Sequence, residues 1–129
     1  MRILGPCAVL ATVALAAAPP PAYAQAALLT LRNVMAGNSS SGLDQVWVRA
    51  DNSANPNAGV AGECVYQGWS LFYSNNNGDV SPEKVEAIAL TAKTTATPVF
   101  IAYVVETNPS DFWGWGITRC RILRISLGG

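Results

Sequence analysis

Hydrophobic and polar positions along this chain change period several times, and each change marks an element. In ALLTLRNVM, Ala27, Leu29 and Leu31 fall on alternate positions, the period of a half-buried strand. The run from Gly37 to Gly42, GNSSSG, then reads as a flexible turn. Asp44–Asp51, DQVWVRAD, predicts a second strand, with Val46 and Val48 on one face and Trp47 and Arg49 on the other. Asn52 to Gly62 is a loop by composition. Cys64 opens a third apolar stretch whose strand core is Trp69 to Ser74, and Asn75 to Asp79 forms a second strong turn.

The period then switches to that of a helix. Ser81 is a suitable N-cap, Pro82 follows at the first helical position, and Glu83 sits where the helix dipole favours an anion. Val85, Ile88, Ala89 and Ala92 make one apolar stripe, while Leu90 lies off it. The threonines from Thr94 onward, and then Pro98, end the helix. Pro98 to Glu106, PVFIAYVVE, is apolar on both faces, as a central strand is. Thr107 to Gly116 reads as a loop, and Ile117 to Leu127 as the closing strand. Alternation in that last strand changes phase near Ile122 and Leu123, which predicts a bulge or sharp bend there.

One helix of three to four turns cannot form a core alone, so it must lie on a sheet. The order strand, strand, strand, helix, strand, strand gives a mostly β, α+β class. It is the order of the OB-fold, a five-stranded, partly open barrel with its helix between strands 3 and 4. A generic α+β sandwich satisfies the same order.

Export changes the picture of the termini and of the cysteines. Met1 to Ala24 has a positive start at Arg2, an apolar run from Ile3 to Ala18, three prolines, and a small-x-small site at Ala22-Tyr23-Ala24. That is the pattern of a secretory signal peptide. The alternative of a membrane anchor suffers from the short apolar run. A lipoprotein reading of Cys7 fails because Leu4-Gly5-Pro6 leaves almost no hydrophobic segment before it. Residues 25–129 then form one small domain, secreted or periplasmic, with no membrane span after cleavage. Cys64 and Cys120 remain, and an even pair in an exported chain is a disulfide candidate, two buried thiols being the alternative.

Charge narrows the partners. Arg2 leaves with the leader, so seven basic and eight acidic side chains stay, without the basic footprint of a nucleic-acid binder. The chain has no histidine, which removes the usual triads and the commonest general base, and leaves too few ligands for a metal site. Glu83 and Glu86 could pair as acid and base, but solvated helix-face carboxylates account for them as well. Arg119, Arg121 and Arg124 suit a basic face, or charge that protects an edge strand. No cofactor motif is present, and we read the domain as non-enzymatic.

The richest segment is TNPSDFWGWG, with Phe112, Trp113 and Trp115 among glycines. Indole faces stack on sugar rings, and Asn108, Ser110 and Asp111 could bond sugar hydroxyls. The structural alternative has Trp113 or Trp115 folding back over the barrel mouth. Trp47 and Trp69, on strands, read as packing residues.

Cys64, the helix Pro82 to Lys93 running into Val99 to Val104, and Cys120 followed by ILRISL together resemble a known pattern. The chain is similar in these features to small bacterial exported proteins like the B subunits of subtilase-cytotoxin-type AB5 toxins. The resemblance covers about half of residues 25–129. It implies an OB-fold, a pentameric ring and binding of cell-surface glycans, in some members sialylated ones. The sequence therefore suggests a glycan-binding domain. The alternative is a periplasmic or cell-surface interaction protein without a small ligand.

Overall fold

A computed structural model describes residues 25–38, 44–111 and 116–128, with the backbone alone at 109–111. Seven strands share one sheet: β1 (Gln25–Leu29), β2 (Asn33–Asn38), β3 (Asp44–Asp51), β4 (Val65–Tyr66), β5 (Trp69–Asn75), β6 (Val99–Asp111) and β7 (Ile117–Leu127). The single α-helix of the described residues, α1 (Pro82–Thr95), lies between β5 and β6. The class is thus mostly β with one helix. The leader reading, Met1 to Ala24, lies outside the described residues.

The strand order is β1-β6-β7-β5-β3-β2, with β4 added on β5. This corrects the expected five-stranded, partly open barrel: the sheet has seven strands among the described residues and is open, with β1 and β2 at its two ends. The expected first strand is in fact two. It breaks at Thr30-Leu31-Arg32, where Leu31 turns into the core and the Arg32 N–H donates to the Arg49 carbonyl at 2.8 Å. One short connection therefore joins opposite ends of the sheet. β1 finds its partner far away in sequence, with Gln25 opposite Tyr103 and Leu29 opposite Val99.

Alternation decides what goes inside. Val46, Val48, Phe72, Ile101, Tyr103 and Ile122 pack with Val85, Ala89 and Ala92 of α1 in one core. Ser81 caps the helix, its Oγ accepting from the Lys84 N–H at 3.3 Å. At the other end Ala96 adopts the left-handed conformation and its N–H returns to the Ala92 and Lys93 carbonyls. Leu90, off the stripe, is exposed. The Tyr103 hydroxyl, at the core's edge, accepts the Ala61 N–H at 3.0 Å and ties the long loop to the sheet.

The bend expected in the closing strand is present. Ala102 faces Arg124 and Tyr103 faces Ile122, so Leu123 is the extra residue. That single insertion lets both Ile122 and Ile125 point into the core. Cys64 and Cys120 form a disulfide, with Cα atoms 5.5 Å apart, and both residues are buried. Its first cysteine lies in a 3-10 turn, Gly62–Cys64, just before β4.

The opposite face of the sheet carries its own cluster. Met35, Trp47, Tyr73, Arg121 and Val104 are paired in register across β2, β3, β5, β7 and β6. Trp47, Leu71 and Tyr73 are buried there with Met35 and Trp69 against them, which places Trp47 and Trp69 in packing roles.

Candidate functional site

The tip of the molecule is built from two hairpins. In the first, Val65 and Tyr66 of β4 turn through Gln67 and Gly68, both at positive φ (51° and 85°), into Trp69 of β5. Two consecutive residues in that region make the tight turn whose twist suits a hairpin. The second hairpin is β6–β7, where Asp111 faces Ile117 and Ser110 faces Thr118.

This revises the aromatic loop. The segment from Thr107 is not a loop: β6 continues through Asp111, so Asn108, Ser110 and Asp111 lie on a strand. A second irregularity falls here, since Val105 faces Cys120 while Ser110 faces Thr118. Asn108, within that irregular stretch, is exposed. Phe112, Trp113 and Trp115 lie outside the described residues, as do the side chains of Ser110 and Asp111.

Gly116 fixes where the second hairpin meets the first. Its φ is +135°, and a Cβ placed on it would come under 3.0 Å from three atoms of the Tyr66 ring. The Tyr66 ring thus lies directly against bare backbone, a contact only glycine permits. Tyr66 and Val65 stay 37% exposed and Ile117 55% exposed, an apolar rim beside that contact. The sequence reading missed all three residues. A Tyr-Gln-Gly-Trp turn flanked by β-formers was the available signal, weaker than Asn-Gly. Gly116→Ala is expected to displace Tyr66 and cost about 1–3 kcal/mol from backbone strain and overlap. Thermal melting, with Tyr66→Ala as a background that relieves the overlap but not the strain, checks this.

Polar groups behind the tip are arranged on the outer face. The Arg49 guanidinium lies 4.0 Å from the Trp69 ring centre, and its Nε donates to the Asn33 Oδ1 at 2.6 Å. Burial, and then the nearby Arg32, push its pKa down. The Arg121 Nε donates to the Glu106 Oε1 at 2.6 Å, and Nη1 is 3.9 Å from the Asp79 Oδ1. Burial, reinforced by Glu106 and opposed by Arg121, pushes the Tyr73 phenol up. β7 lies between β5 and β6, so its arginines do not guard an edge. Arg121 instead pins the Asn75–Asp79 turn, packing against Gly78.

The acid–base pairing considered for the helix finds two carboxylates on a surface cleft. Glu83 and Glu86 line a space of about 310 Å³ with Asp44, Asn38 and Gln45. Among the described residues, no group of three His, Cys, Asp or Glu side chains could hold a metal ion. No described helix is long and apolar enough to cross a membrane.

Comparison with protein-family models, curated proteins and solved structures found no match.

Proposed function

We propose that this chain is an exported, non-enzymatic binding domain that takes a carbohydrate at the two-hairpin tip. The observation that carries the reading is the exposed Tyr66 ring, held against the Gly116 backbone at the root of the segment bearing Phe112, Trp113 and Trp115. Flat rings offer sugars a stacking surface, and Asn108, Ser110 and Asp111 supply the amide, hydroxyl and carboxylate groups that pair with sugar hydroxyls. The disulfide, with Cys64 next to Val65 in sequence and Cys120 on β7, ties the two hairpins together at their base. A preorganised site of this kind loses less entropy on binding.

The resemblance to AB5 toxin B subunits favours the same ligand class, and more than one copy in an assembly would multiply a weak affinity. The leader puts the domain in the periplasm or outside the cell. A second reading is an interaction protein without a small ligand. The aliphatic side chains of Val65 and Ile117 on the same rim favour it, because they suit a protein surface better than a sugar.

Titration of intrinsic fluorescence with sialylated and neutral oligosaccharides separates the two. On the glycan reading, tryptophan emission changes saturably. The response disappears in Trp113→Ala and Trp115→Ala, and Tyr66→Ala weakens binding about tenfold, a loss of about 1.4 kcal/mol. A folded protein whose emission responds to no oligosaccharide belongs to the second reading.

A further inference from the structure

A different feature, at the far end of the sheet, carries an inference that does not depend on the glycan reading. β1 ends the strand order, with β6 as its one strand partner among the described residues. Exposed edges are usually blunted by charge, proline, bulges or cover. Gln25-Ala26-Ala27-Leu28-Leu29 has none of the first two, and its register with β6 is unbroken. Beside it runs a groove of about 440 Å³ between the strand and the Asn55–Ala58 turn, lined without a single charged side chain. Leu28 and its cross-strand neighbour Phe100 are exposed on this side.

The free stretch also has a definite end. The Asn55 side chain accepts the Thr30 N–H at 2.8 Å and donates to the Thr30 carbonyl at 3.2 Å, so the Thr30 backbone just beyond β1 is already satisfied. Five residues remain, centred on Ala27.

We propose that two copies of this chain associate by antiparallel pairing of β1 with β1 about a two-fold axis at Ala27. In that register Ala26 of each copy lies opposite Leu28 of the other, so small meets large twice on the outward face. The outward position Leu28 brings Phe100 with it from β6, and the uncharged groove receives the partner's side chains. Formal charges nearly balance over residues 25–129, seven basic against eight acidic, so copies do not repel strongly. The arrangement is isologous and closes at two copies, unlike the head-to-tail contacts of a ring.

The mass of the purified protein in solution, by light scattering across the micromolar range, is the first test. A species of twice the chain mass is expected, and Leu28→Lys should convert it to a folded monomer that melts where the wild type melts when diluted to its monomer. The double variant A26C/L28C should form a covalent dimer under mild oxidation, whereas A26C and L28C alone should not. Directly opposite pairs have Cβ atoms about 5 Å apart, and diagonal ones about 7–8 Å, beyond disulfide reach. A monomer at high micromolar concentration, a ring of more than two copies, or a dimer that survives Leu28→Lys would overturn the proposal.

Discussion

Reduction of the Cys64–Cys120 disulfide will lower the melting temperature by roughly 15–30 °C. The bridge closes a loop between residues 56 apart, for which chain entropy gives about 4 kcal/mol. For a domain of this size each kcal/mol moves the midpoint by about 4–8 °C. The bridge also joins parts that few backbone pairings hold together. Cys64 follows the long Asn52–Gly62 loop, and the short β4 after it pairs only across Val65–Ser70 and Tyr66–Trp69. Cys120 belongs to β7, in the middle of the sheet. Calorimetry with and without reductant, together with the Cys64→Ser/Cys120→Ser double variant, checks the magnitude. A shift of only a few degrees would mean that packing, not the crosslink, holds the β4 hairpin in place.

Phe72→Ala will destabilise the domain by about 3–5 kcal/mol. Phe72 is fully buried on β5, and its ring centre lies 5.0 Å from that of Tyr103 on β6, with the planes at 58°. β5 and β6 are not neighbours: β7 lies between them. The ring pair therefore meets across the intervening β7. Truncation loses burial and leaves a cavity that two strands on opposite sides of a β neighbour cannot collapse to fill. Phe72→Leu should recover most of the loss. Denaturant unfolding of both variants gives the comparison, and equal losses would show that ring geometry matters more than volume.

Much of this architecture is legible in the chain, for particular reasons. The helix was readable because Ser81, Pro82 and the stripe Val85, Ile88, Ala89 and Ala92 agree on one element. The bulge at Leu123 was readable because Cys120, Ile122 and Ile125 cannot share a face in an unbroken strand. The cysteine pair was readable by count. What escaped were features set by tertiary pairing. Leu31 keeps the alternation of Ala27 and Leu29, so nothing local shows that the strand breaks between β1 and β2. Asn-Pro-Ser composition suggested a loop after Glu106, yet pairing with β7 draws the backbone into β6 as far as Asp111. Near the tip, Asn108 is singled out by residue type and lies in the irregular stretch of β6 before Ser110. Tyr66 and Ile117 are not, since they reach the tip only through a hairpin turn and a glycine at φ +135°.

The distance along the chain between β1 and its partner governs the order of folding. Synthesised before the other described strands, β1 meets its hydrogen-bonding neighbour only after the helix and the start of β6 have followed, some seventy residues later, as with Leu29 and Val99. Until then Ala27 and Leu29 lack the neighbouring strand that holds them in the core. The domain is therefore a late and all-at-once folder, with a slow rate typical of high contact order. A chain cut anywhere before β6 would leave its own beginning unpaired.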